Sequence, residues 1–137
     1  MKNLFKIKSG LLCLCAALTI LLSGGCDIDN NHLTLKDFAD HLKKSGVNVE
    51  QVQPIEADVI KAQKAIAVKI AGSEIGVYKF NIDFKNQAKR LKRIHGNGYV
   101  YMLGLKFPVV VKGTFVLVNV HKNPEKHKIL KALKTFK

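Results

Sequence analysis

The chain holds few residues that carry covalent chemistry. Its three cysteines, Cys13, Cys15 and Cys26, all lie within the first 26 residues. An exported protein with paired cysteines would be expected to form disulfides, so this distribution excludes a disulfide framework from residues 27–137. The fold of those residues has to be held together by packing alone.

Motifs for catalysis are also missing. After Cys26 the only serines are Ser45, at the end of a predicted helix, and Ser73, in a predicted turn, and no Ser-x-x-Lys motif accompanies them. The carboxylates fall in turns, at helix starts or beside lysines, and do not form the pair that acid–base chemistry needs. Gly96-Asn97-Gly98 lacks the third glycine of a dinucleotide loop. We therefore predict a non-enzymatic protein without a catalytic residue or a cofactor.

The histidines follow no metal-binding pattern. They are scattered, without an H-E-x-x-H motif or a second cysteine beyond Cys26 to join them. His121 and His127, which flank Pro124, are the two that could approach each other across a loop. Because histidines in basic surface loops are common, the sequence predicts no metal site. The five are His32, His41, His95, His121 and His127.

The first 26 residues have the layout of a secretory signal. Three lysines precede 18 uncharged residues, Ser9 to Cys26, with a leucine-rich middle. The stretch ends in Leu22-Ser23-Gly24-Gly25-Cys26, which resembles the lipobox of bacterial lipoproteins. That resemblance implies cleavage before Cys26 and acylation of its side chain. Residues 1–25 are therefore predicted to be a lipoprotein signal peptide.

An uncleaved membrane-spanning anchor is the alternative, because 18 uncharged residues reach the threshold length for crossing a bilayer. Gly24 and Gly25 would weaken the end of such a helix, which favours cleavage. Two or three acyl chains on Cys26 suffice for stable attachment to a lipid bilayer. The expected location is the cell membrane or the outer membrane, facing the periplasm or the exterior.

The charge of residues 26–137 indicates which partners to expect. Residues 1–25 hold three of the 23 basic residues and none of the ten acidic ones, so residues 26–137 carry 20 basic residues against ten acidic ones. This excess indicates attraction to an anionic partner. Because the chain is predicted to be exported, we expect anionic lipid or an acidic envelope partner and not nucleic acid. A lysine-rich surface that only serves solubility is the alternative.

Apolar spacing predicts three helices and several strands after a lipidated tether, residues 26–33. Leu35, Phe38 and Leu42 recur at helical spacing behind Thr34, and two alternating runs joined by Gly72-Ser73 predict a hairpin. The predicted elements are helices over 34–45, 83–95 and 123–136 and strands over 47–54, 64–70, 74–81, 99–103 and 114–121. Between the last two strands, Pro108 argues against a central strand.

This order indicates a single α+β domain over residues 34–137. We expect a two-layer sandwich in which one antiparallel sheet has its helices packed on one face. A ferredoxin-like topology is the nearest common arrangement, although three consecutive strands before the second helix do not match it.

Several segments of this domain resemble uncharacterised small bacterial lipoproteins. They are Gly46-Val47-Asn48-Val49 after the first helix, Gly72 with Ile75, Val77, Tyr78 and Phe80, and the run from Lys112 to Val118. The similarity covers Thr34 to Phe136 and consists mostly of core and turn positions. It implies an envelope lipoprotein without an assigned activity.

The remaining candidate for a binding site is a basic surface on the second and third helices. If both helices lay in the same layer, their cations would form one positive face against an anionic surface. We therefore expect an interaction or scaffolding domain, and the alternative is a binding module for a small or lipidic ligand between sheet and helices. The candidate contacts are Lys85, Lys89, Arg90, Lys92, Arg93, Lys128 and Lys131.

Overall fold

A computed structural model describes residues 30–137. The predicted signal peptide, Cys26 and the first part of the predicted tether lie outside these residues. The helices are α1 (Leu35–Lys44), α2 (Lys85–Asn97) and α3 (Lys126–Thr135). The strands are β1 (Val49–Pro54), β2 (Lys64–Ile70), β3 (Ser73–Lys79), β4 (Tyr99–Met102), β5 (Leu105–Lys112) and β6 (Phe115–Val118).

The six strands form one antiparallel sheet in the order β1-β2-β3-β6-β5-β4. The α+β class and the antiparallel sheet predicted from the sequence are thus confirmed. The central pair joins the first three strands to the last three, because β3 pairs with β6 over Gly76–Lys79 and Phe115–Val118. Short 3-10 turns at Asp58–Ile60 and Val120–Lys122 complete the connections.

Both faces of the sheet are covered. On one face α1 and α3 pack through Phe38 and Ile129 against Val77 and Leu117. On the other face α2 contributes Leu91 to a second cluster. This cluster also contains Tyr78, Phe80, Ile94, Val100, Val116 and Val118.

The expectation of helices on one face therefore holds for α1 and α3, whereas α2 lies on the opposite face. The physical reason is visible in β6, whose four residues are all buried. A strand with apolar side chains on both sides needs cover on both sides.

Helix α1 begins as predicted. Thr34 accepts a hydrogen bond from the Asp37 backbone, and the Asp37 carboxylate accepts one from the Thr34 backbone, which completes a capping box. Two buried apolar residues, Phe38 and Leu42, then face the sheet one turn apart.

Strand β5 contains Pro108 and is an inner strand of the sheet, so the expectation that Pro108 argues against a central strand is wrong. Residues Leu105 to Pro108 pair only with β4, and Val109 to Lys112 pair with β6. The Val109 N–H donates toward β4, to the Gly98 carbonyl. The nitrogen of Pro108 therefore points to the other side, where β6 has already ended at Val118, and no ladder hydrogen bond is lost.

The β2–β3 hairpin turns at Ala71-Gly72 and not at Gly72-Ser73, since Ile70 pairs directly with Ser73. Both turn residues have positive φ, 49° at Ala71 and 78° at Gly72. This two-residue turn matches the right-handed twist of the strands that it joins.

Candidate functional site

The first described residues are fixed to the middle of the sheet. Asn30 is 3% exposed, and its Oδ1 accepts hydrogen bonds from the backbone nitrogen of Thr114 at 2.9 Å and from the Thr114 hydroxyl at 3.1 Å. The Asn30 amide donates to the Lys112 carbonyl at 3.1 Å. Asn31 continues the attachment, because its Oδ1 accepts from the Ile82 backbone at 3.1 Å. The predicted tether over residues 26–33 is therefore wrong for its last four residues, which belong to the folded domain.

A buried lysine completes this attachment. Lys79 Nζ donates to the carbonyls of Asn31 and Phe80, each at 3.0 Å, and to the Thr114 hydroxyl. It also lies 4.9 Å from the centre of the Phe115 ring, in a cation–π geometry. Burial lowers the pKa of Lys79 to about 8, and the carboxylate of Asp83 opposes that shift. We call Asn30, Asn31, Lys79 and Thr114 the Asn30 cluster.

The Lys79–Thr114 contact places an amine of lowered pKa on a hydroxyl, as in an activated nucleophile. Thr114 is completely buried, however, so a substrate cannot reach its oxygen. Two of the contacts of Lys79, to the Asn31 carbonyl and to Thr114, are to groups that hold the N-terminal segment. The arrangement therefore acts on the structure of this segment and offers no site for chemistry.

The Asn30 cluster was not predicted from the sequence, although one signal was present. Lys79 follows Ile75 and Val77 at period two on β3, so the alternation that buries those residues also directs Lys79 inward. No comparable signal marked Asn30, because consecutive asparagines in a polar segment are typical of a linker.

Beside the Asn30 cluster lies an apolar groove between α2 and β5, which we call the α2–β5 groove. Its volume is about 560 Å³. Leu91 at its base is buried, and most of the wall is half-buried or exposed, so the groove opens to the surface. It is lined by Ile82, Ala88, Leu91, Lys92, His95, Val111 and Gly113.

A small side chain on α2 helps to leave this space open, because Ala88 presents only a methyl group to the groove. On the opposite wall, Gly113 lies directly after β5. Gly113 has φ of 58°, and a Cβ there would overlap the Asn30 side chain, so no larger residue fits its position. Phe84 is 55% exposed at the start of α2 and does not line the groove.

The predicted basic surface is divided between the two sides of the sheet. Lys128 and Lys131 are exposed on α3, opposite to α2, and Lys128 pairs with Glu125 at 2.7 Å. The expectation of one continuous positive face is therefore wrong, since α2 and α3 cover opposite sheet faces. The other candidates lie on α2, where Lys85, Lys89, Lys92 and Arg93 are exposed and Arg90 is half-buried.

Helix α2 nevertheless keeps a strong positive charge. It has five cations and no carboxylate in its 13 residues. Among residues 30–137, the ion pairs involve other segments, namely Lys36–Asp40, Lys61–Asp58 and Lys128–Glu125. Lys92 is the one α2 cation that lines the α2–β5 groove.

The histidines do not share a common site. His41 donates to the Ala132 carbonyl at 2.8 Å and joins α1 to α3, whereas His95 lines the α2–β5 groove. His121 and His127 are both exposed. Within residues 30–137, no three side chains of His, Cys, Asp or Glu come together as a metal site would require.

The carboxylates of the helices have structural partners. Hydrogen bonds from Thr34 lower the pKa of Asp37, and the hydrogen bond from Lys36 lowers that of Asp40. Hydrogen bonds from Lys128 and from the Asn48 backbone lower the pKa of Glu125. Asp37 thus caps α1, Asp40 pairs within α1, and Glu125 joins the start of α3 to the residue before β1.

The β4–β5 hairpin carries exposed apolar side chains at its tip. Leu103 is 96% exposed, and Tyr101 and Leu105 beside it are also exposed. This tip lies at the opposite end of β5 from Lys112, to which Asn30 is attached.

Comparisons with protein-family models, with curated proteins and with solved structures found no match to the chain. In the part of the chain that the structure describes, no helix has both the length and the apolar character needed to cross a bilayer.

Proposed function

We propose that the chain is a lipid-anchored, non-enzymatic envelope lipoprotein whose domain interacts with partners close to the membrane. The signal-like residues 1–25 and the lipobox-like sequence before Cys26 support the anchor. The observation that carries the proposal is the short connection between Cys26 and the Asn30 cluster.

Three residues lie between Cys26 and Asn30, so their α-carbons are four peptide units apart, and an extended chain of this length spans at most about 14 Å. Asn30 itself is held by Thr114 and Lys112. An acylated Cys26 would thus keep this end of the domain next to the bilayer. The features at the same end are Ile82, Gly113 and the start of α2.

Mass spectrometry of the N-terminal peptide of the full chain produced in bacteria tests the anchor. We expect a peptide that begins at an acylated Cys26 and membrane fractionation of the protein. Cys26→Ser should abolish acylation and accumulate the uncleaved chain. Cys15→Ser, a matched substitution inside the predicted signal peptide, should be processed normally. A peptide that begins at Met1 and carries no acyl group would refute the proposal.

A binding module for a small or lipidic ligand is the second candidate, and the α2–β5 groove favours it. Ligand sites are typically apolar clefts of about 300–1,000 Å³ with a few polar groups, and this groove has about 560 Å³ with Lys92 and His95 on its wall.

An environment-sensitive apolar dye should bind the full chain. Ala88→Trp should block this binding, whereas Asn86→Trp on the exposed side of α2 should leave it unchanged.

A further inference from the structure

We infer that the α2–β5 groove takes one acyl chain of an anionic phospholipid from the bilayer to which the domain is anchored. This inference deepens the second candidate function, and its supply of ligand rests on the proposed anchor at Cys26. Three features of the groove support it: its lining, its charge and its position.

The lining fits a hydrocarbon chain. Ile82, Leu91 and Val111 supply apolar surface along the groove, and Ala88 leaves it open. The groove follows α2 from its first turns to His95, near the end of the helix. An apolar groove along a helix buries the methylene groups of a chain, which is favourable roughly in proportion to the area removed from water.

The charge fits an anionic headgroup. Lys92 lies on the wall of the groove, and Lys85 is exposed at the start of the same helix. Neither lysine takes part in an ion pair among residues 30–137. With no carboxylate on α2 to offset them, these cations attract a phosphate at the groove edge.

The position fits supply from the membrane. Ile82 is hydrogen-bonded to Asn31, and Gly113 lies against Asn30, so one end of the groove lies at the Asn30 cluster. That end is within about 14 Å of the Cys26 α-carbon along the chain. Tethering next to a bilayer raises the effective concentration of its lipids at the groove, so that even a weak site is filled.

Photocrosslinking of the full chain in vesicles tests this inference. The protein is reconstituted into phosphatidylcholine vesicles that contain phosphatidylglycerol with a diazirine in one acyl chain. After irradiation and digestion, we expect the label on the α2 and β5 peptides that contain Ala88, Leu91 and Val111. Label confined to the β4–β5 hairpin or spread over all exposed segments would overturn the assignment.

Matched variants establish that the groove itself is labelled. Ala88→Trp fills the groove and should reduce labelling of α2 and β5 to background, whereas Asn86→Trp on the same helix should not. Ala88→Asp places a charge in the groove and should have the same effect with much less added bulk than tryptophan, and thermal melting shows that each variant is folded. Labelling that survives both Ala88 variants in folded protein would overturn the inference.

The headgroup is tested with a second pair of variants. Lys92→Gln should weaken labelling by phosphatidylglycerol about fivefold at low salt, while Lys89→Gln, away from the groove wall, should change it less. The same diazirine chain on phosphatidylcholine should label the wild type less than phosphatidylglycerol does. Equal labelling by the two lipids would overturn the anionic part of the inference.

Two further measurements separate this inference from the proposals on which it rests. If a soluble aliphatic diazirine labels the groove and phosphatidylglycerol does not, the binding module stands and the bilayer lipid is excluded. If neither probe labels the groove, both binding proposals fail. The N-terminal peptide of the same digest reports acylation of Cys26 independently.

Discussion

The side-chain oxygen of Asn30 accepts two hydrogen bonds from Thr114, one from its backbone nitrogen at 2.9 Å and one from its hydroxyl at 3.1 Å. These residues are 84 positions apart in the chain. Thr114 directly precedes the central strand β6, so the contact fastens the start of the domain to the middle of its sheet. It also determines which end of the domain an anchor at Cys26 would hold near a membrane.

Replacing Asn30 with alanine should destabilise the domain by about 1–3 kcal/mol, because the Thr114 N–H would remain buried without its acceptor. Urea denaturation of the full chain measures the change in the free energy of unfolding. Asn97→Ala, at an exposed position at the end of α2, should stay within about 0.5 kcal/mol of the wild type. Equal stability of the two variants would show that the Asn30 contact contributes nothing.

Gly113→Ala should also disrupt the attachment of Asn30 to the sheet. The new Cβ would overlap the Asn30 side chain, and φ at this position is 58°, so the variant meets both a clash and backbone strain. We expect a loss of at least about 1 kcal/mol in thermal or urea unfolding. Gly96→Ala is the matched control, since its Cβ meets no atom within 4 Å inside α2.

For that control the expected sign is opposite. Alanine is favoured over glycine in a helix, so Gly96→Ala should stabilise the domain by roughly 0.5–1 kcal/mol. A Gly113→Ala variant that kept the stability of the wild type but was cleaved faster before residue 34 would contradict the prediction. It would show that the N-terminal segment can detach without destabilising the domain.

Lys79 should make stability depend on pH. Its pKa in the folded protein is about 8, below the ordinary value of 10.5, because burial disfavours the charged form. The unfolded chain therefore binds this proton more tightly, and the contribution of Lys79 to the free energy of unfolding should rise from pH 8 to pH 10.5. Below pH 8 the cost of burying the charge is fully present.

Urea denaturation of wild type and Lys79→Met across this pH range isolates the effect. Burial raises the pKa of Tyr78, which lowers stability above its ordinary pKa of 10, but that effect is common to both proteins. The stability difference between the proteins should therefore change with pH over the Lys79 range only. Parallel pH profiles would contradict burial of a charged Lys79.

Periodicity predicted those elements whose apolar residues repeat regularly. Helix α1 has Phe38 and Leu42 on one face behind a capping threonine, and the hairpin strands β2 and β3 alternate as expected. The same alternation in β6 puts Phe115 and Leu117 on one face and Val116 and Val118 on the other. Four consecutive buried residues in β6 already indicate that both faces of the sheet are covered.

The parts that sequence reasoning missed depend on contacts between distant residues. Whether Pro108 can lie in a strand depends on where β6 ends, and whether Asn30 belongs to a tether depends on Thr114. The α2–β5 groove likewise has no local pattern, since its lining comes from α2 and from the end of β5, which are distant in sequence. The cations of α2 were identified from the sequence, but the face on which the helix packs was not.

The turn at the tip of the β4–β5 hairpin joins Met102 to Leu105 through Leu103 and Gly104, both with positive φ, 51° and 78°. Leucine is poorly suited to this position, because a left-handed conformation costs an ordinary side chain roughly 1–2 kcal/mol. Asparagine followed by glycine is the preferred pair in such turns. Leu103→Asn should therefore stabilise the domain by about 1 kcal/mol, although it removes an apolar side chain.

Urea denaturation checks this gain as a higher midpoint at an unchanged dependence on urea. Leu105→Asn is the matched control, because Leu105 is also exposed but lies in the strand, where asparagine is unfavourable. It should be neutral or destabilising. A Leu103→Asn variant no more stable than the wild type would contradict the strain assigned to this turn, because Leu103 is 96% exposed and has few contacts to lose.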